Sequence, residues 1–78
     1  MYTYYIVRLD LKDGDWGYVR SLGGGRFELT DDPNSARIFD TEREAQDFYY
    51  DVIGSRATVN GVGIAKVFIT TITSQYPL

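Results

Sequence analysis

The 78 residues include no cysteine and no histidine, and they carry a formal net charge of −3. Those counts define one small domain without disulfides, thiolate or imidazole metal sites, or the usual Ser–His and Cys–His nucleophiles. The mild acidity argues against affinity for nucleic acid or anionic membranes, which needs a basic surface.

The first element in chain order is a strand from Tyr2 to Asp10, rich in aromatic and β-branched residues. Strand alternation puts Tyr2, Tyr4, Ile6 and Arg8 on one face and Thr3, Tyr5, Val7 and Leu9 on the other. Lys12-Asp13-Gly14-Asp15 is a turn, because Asp-Gly supplies the positive φ of a tight hairpin. A second strand, antiparallel to the first, follows from Trp16 to Leu22, with Trp16, Tyr18 and Arg20 on one side. The glycines Gly23, Gly24 and Gly25 interrupt it, and Arg26 to Thr30 forms a short third strand. Ser35 to Asp40 is either a helical turn or an extended piece that buries Ala36, Ile38 or Phe39.

The best-marked element is a helix from Thr41 to Ile53. Thr41 with Glu44 three residues later is a capping box, and Glu42 and Glu44 suit the positive end of the helix dipole. Ala45, Phe48, Tyr49, Val52 and Ile53 recur at helical spacing as one apolar stripe, opposite Gln46, Asp47, Tyr50 and Asp51. Gly54 is placed to end the helix in the left-handed region. Arg56 to Val59 is a candidate short strand, and Asn60-Gly61 is either a hairpin turn or a plain loop. Val62 to Ser74 is the longest strand. Its apolar residues on both faces predict a central strand, and Pro77 ends any pairing.

The expected fold is therefore α+β: a small antiparallel sheet in the order β-β-β-α-β, with one extra short strand as an option, and one helix on one face. The whole chain, 1–78, forms this one domain. Such a helix covers one face of the sheet only. A chain this small buries only about 60% of its unfolded surface, so a second partner is expected on the other face. Tyr2, Tyr4, Trp16 and Tyr18 are the candidate contact residues there, with Phe68 as a further member and Arg8 and Arg20 near the rim. Tyr and Trp suit protein interfaces because they bury area and keep a polar tip. The expectation is a protein partner, including a second copy in a homodimer. The alternative is a small-ligand or single-stranded nucleic-acid module that stacks planar groups on the same aromatics.

A second candidate surface is acidic. Asp31 to Asp51 holds seven acids and two bases, −5 in 21 residues, whereas the first thirty residues balance. Asp47, Tyr50 and Asp51 on the outer side of the helix are its candidate contacts, where carboxylates would speed association with a basic partner. The glycine triplet resembles a phosphate-cradling loop only in composition, since a strand rather than a helix follows. Asp10, Asp13 and Asp15 lack the later glutamate of a calcium loop. Ser21, Ser35, Ser55 and Ser74 have no activating base. No catalytic residue, cofactor or metal is expected. A cytoplasmic location is expected too, since the start of the chain lacks the pattern of a signal peptide and no apolar run is long enough to span a membrane.

Gly17-Tyr18-Val19, Phe27-Glu28-Leu29-Thr30-Asp31 and the run Ala36 to Ala45 together resemble a pattern in small phage and prophage proteins of Gram-positive bacteria. The resemblance covers about half the chain. It implies a sheet with a helix and a phage origin, with no catalytic residues to carry over. By analogy, small acidic phage proteins include inhibitors of bacterial defence, such as anti-CRISPR proteins, which act by binding.

Overall fold

The computed structural model describes residues 2–23, 26–54 and 58–75, with residues 52–54 as backbone only. Strands β1 (Tyr2–Leu11), β2 (Trp16–Gly23) and β3 (Arg26–Thr30) come first. A 3-10 turn (Pro33–Ser35), helix α1 (Glu42–Gly54), and strands β4 (Thr58–Val59) and β5 (Val62–Ser74) follow. The five strands form one antiparallel sheet in the order β3-β2-β1-β5-β4. The first and last long strands thus lie side by side in the middle, and Val62 to Ser74 is an inner strand as its pattern predicts. Gly24, Gly25, Ser55, Arg56 and Pro77 fall outside the described residues.

Both hairpin signals are realised. Gly14 has φ 91°, and Asn60 and Gly61 have φ 52° and 82°, the successive positive values of a two-residue turn between paired strands. The helix start is capped by the expected residues. Thr41 Oγ1 accepts from the Glu44 amide at 3.1 Å, and Glu44 Oε2 accepts from the Asp40 amide at 3.2 Å, one residue earlier than the usual reciprocal bond.

Between β3 and α1 a 3-10 turn at Pro33–Ser35 comes first, and the stretch from there to Asp40 takes the extended alternative. Asp32 caps the 3-10 turn, its carboxylate accepting from the Asn34 amide and the Ser35 hydroxyl. Residues 37–39 then run extended into a fork in the sheet. β1 and β2 pair only over Arg8–Asp10 and Trp16–Tyr18. Where they part, Tyr5 and Phe39 exchange two backbone hydrogen bonds of 2.9 and 2.8 Å, and the Arg37 amide donates to Val19 O at 2.8 Å. The inserted segment satisfies backbone groups that the divergence would otherwise leave unpaired.

The core lies between α1 and one face of the sheet. Val7, Leu9, Val19, Phe39 and Ala45 are buried there, with Tyr5, Phe27, Leu29, Phe48, Val67 and Ile69 packed around them. Phe48 meets Phe39 and Phe27 at ring centroids of 5.5 and 5.8 Å. Gly17 is required by close packing rather than by backbone angle. A Cβ there would sit 2.7 Å from Leu29 Cβ. The strand buried on both faces is β1, where Ile6, Val7 and Leu9 are all nearly inaccessible, and not β5 as its apolar pattern suggests. On β5, Ala65, Lys66, Phe68, Thr71 and Thr73 are exposed. Lys66 and Phe68 lie on the side away from α1, whereas Thr71 and Thr73 share the row of Val67 and Ile69.

Candidate functional site: an uncovered aromatic face

Pairing partners across a sheet share a face, so the register sorts the side chains. Arg8 pairs with Tyr18 on β2 and with Phe68 on β5, and Asp10 pairs with Trp16 and Lys66. Tyr4 faces Ile72 and Ile6 faces Thr70 in the same row. All of these point away from α1. Tyr2, Trp16 and Phe68 are 49%, 42% and 45% exposed, and Tyr4, Tyr18 and Ile72 are half-buried. The four aromatic residues expected from the sequence, Tyr2, Tyr4, Trp16 and Tyr18, therefore do share one open surface.

Arg8 stands at the centre of this surface, not at its rim. Its guanidinium carbon lies 4.3 Å from the Trp16 ring centroid and 5.7 Å from that of Phe68. Its Nε donates to Asp10 Oδ1 at 2.9 Å. Trp16 in turn meets Tyr18 edge-on at 5.7 Å. The carboxylate orients the guanidinium and the rings flank it. Each such cation–π contact at a partly exposed site contributes about 0.5–1 kcal/mol. Beside it, an open depression of about 420 Å³ is lined by Arg8, Asp10, Phe68, Ile69 and Thr70. Arg20 lies off this cluster, paired with Glu28 at 3.1 Å.

Ile38 belongs to the same surface and was not legible there from the sequence. The bridge between Tyr5 and Phe39 sets Ile38 beside Ile6 in register, so strand alternation turns it to the open side. It is 43% exposed, whereas Ala36 and Phe39 are buried. Ile6 itself is 1% exposed although no helix covers it. Its neighbours in register on that face are Thr70 and Ile38.

The remaining candidates lie elsewhere. Asp47, Tyr50 and Asp51 are exposed on α1, on the opposite side of the sheet, and the two candidate sets do not meet. Tyr50 is 66% exposed and touches Tyr49 edge-on at 5.2 Å. Asp10, Asp13 and Asp15 act separately. Asp10 holds Arg8, Asp13 accepts from the Asp15 amide at 3.0 Å, and Asp15 accepts from the Trp16 amide at 2.9 Å. Among the described residues no cluster of carboxylates is arranged to hold a metal ion, and no helix is long and apolar enough to cross a membrane. No family model, curated protein or solved structure matches this chain.

Proposed function

We propose that this protein is a non-catalytic interaction module that binds another protein through its open aromatic face. The observation that carries the reading is the cluster of Arg8, Trp16, Tyr18 and Phe68 on a sheet surface that α1 does not cover and where, among the described residues, no other α-helix lies. Trp, Tyr and Arg are the residues most enriched where interface energy concentrates, and here they are adjacent and pre-ordered. Pre-ordering matters because an already fixed guanidinium and ring lose little freedom on binding. A phage-encoded inhibitor acting on a host protein in the host cytoplasm fits this reading and the sequence resemblance.

The acidic outer side of α1, with Asp47 and Asp51, is the competing surface. It offers charge but few ordered apolar groups, so it suits steering more than anchoring. A small-ligand or single-strand reading draws on the depression beside Arg8 and Phe68. Against it stand the net charge of −3 and the use of one Trp16 face by Arg8.

The test is capture from host extract by the wild-type chain, by Trp16→Ser/Phe68→Ser and by Asp47→Lys/Asp51→Lys. Loss of a specific partner with the first variant alone supports the proposal. Loss with the second alone transfers the function to the helix. Quenching of Trp16 emission by nucleotides or oligonucleotides, without any captured protein, favours the ligand reading instead.

A further inference from the structure

β5 is paired along one edge and open along most of the other. Its inner edge pairs with β1 from Ile64 onward, while β4 reaches only Val62 and Gly63 on the outer edge. Among the described residues, no strand pairs with the outer edge between Ile64 and Thr73. A strand edge presents a row of backbone donors and acceptors that another strand can complete. Edges are normally protected by charge, proline or short length. From Ala65 to Thr73 this run has one lysine and no proline, and it is rich in Val, Ile, Thr and Phe. Beside the edge, α1 leaves a groove of about 260 Å³ lined by Gln46, Tyr49, Tyr50, Val67 and Ile69. An added strand would send alternate side chains into it.

We infer that the outer edge of β5 is a dimer seam, occupied by β5 of a second copy running antiparallel. The two-fold axis is then perpendicular to the sheet and the contact closes on itself, which limits assembly to a pair. Facing residues must share a face, so the axis passes beside one residue that meets its own copy. Centred on the open run, that residue is Ile69. Val67 then faces Thr71 of the second copy, Phe68 faces Thr70, and Lys66 faces Ile72, so the two lysines stay apart. A seam of nine residues is about 30 Å long at the usual rise per residue. Across a body 22 Å deep it presents about 650 Å² in projection, approaching the ~800 Å² per partner of a standard stable interface. This arrangement sets both helices on one side and both aromatic faces on the other, joined into one platform. It does not depend on the aromatic face having a partner.

The test combines sedimentation with hydrogen exchange on the purified chain at micromolar concentration. The expected result is a dimer in which successive amides from Val67 to Thr73 are all protected. On dilution, the alternate amides that face away from β1 should lose protection while those facing β1 keep it. Thr71→Lys/Thr73→Lys, exposed positions in the parent, should be monomeric with an unchanged circular dichroism spectrum. Trp16→Ser/Tyr18→Ser, both on β2 and away from the seam, should remain dimeric, which separates this seam from the open face. A wild-type monomer with alternate β5 amides in fast exchange at all concentrations overturns the inference. So does a dimer that survives the two lysines and is broken by the Trp16 and Tyr18 changes. Protection of β5 appearing only with an added foreign peptide, while the chain stays monomeric, also overturns it.

Discussion

Ile6 and Leu9 offer a direct comparison of the two sides of the sheet. They are isomeric side chains on the same strand, each 1% exposed, and they point to opposite faces. Truncation to alanine removes the same three carbons from each, worth about 0.8 kcal/mol per carbon in transfer terms, or about 2.4 kcal/mol. The cavity contribution should differ. Leu9 is enclosed by Val7, Val19, Phe39 and Ala45 between sheet and helix, where the walls relax little. Ile6 points away from α1 and from that cluster, so its surroundings can settle into the gap or admit water. Leu9→Ala should therefore cost about 3–5 kcal/mol and Ile6→Ala about 2–3 kcal/mol. Urea unfolding followed by circular dichroism, with both variants at the same protein concentration, measures both. A cost for Ile6→Ala equal to or greater than that for Leu9→Ala would refute the reasoning. It would mean that Ile6 sits in a sealed second core and the face is not open.

Gly17→Ala should lose about 1–3 kcal/mol, because the new methyl meets Leu29 Cβ at 2.7 Å and overpacks the β2–β3 pair. Chemical denaturation would show it, and an unchanged midpoint would contradict the packing. Thr41→Ala removes the acceptor for the Glu44 amide and should cost about 0.5–2 kcal/mol, read as a lowered thermal midpoint. Gly61→Ala forces a side chain to φ 82° and should destabilise by about 1 kcal/mol or more, with hydrogen exchange at Thr58, Val59 and Val62 rising first. A double-mutant cycle on Arg8 and Trp16 should return a coupling of about 0.5–1 kcal/mol, and a value near zero would show that their stacking does not persist in solution.

Short-range signals carried most of the fold. Asp13-Gly14 and Asn60-Gly61 fix their turns by backbone angle alone, and Thr41 with Glu44 fixes the helix start by hydrogen bonding. These depend on residues adjacent in the chain. The shared face of Tyr2, Tyr4, Trp16 and Tyr18 was legible because alternation is local to each strand, and the Asp-Gly turn joins the two. What escaped depends on pairing across distance. The fork between β1 and β2, filled by residues 37–39, has no local signature, since Ala36-Arg37-Ile38-Phe39 reads equally as a turn or as extended chain. Ile38 was assigned to the possible interior for that reason. Arg8 read as a rim residue because its position between Trp16 and Phe68 arises from register with two other strands. The apolar alternation of β5 suggested burial on both sides, but Lys66 and Phe68 on the side away from α1 are exposed.

The central claim, that the open aromatic face engages another protein, is tested most directly through Trp16, the only tryptophan in the chain. Its quenching by iodide would be measured before and after addition of the partner captured by the wild-type chain. The account predicts ready quenching in the free protein, as 42% exposure implies, and strong shielding in the complex. Equal quenching in the two states, with the partner demonstrably bound, would contradict it.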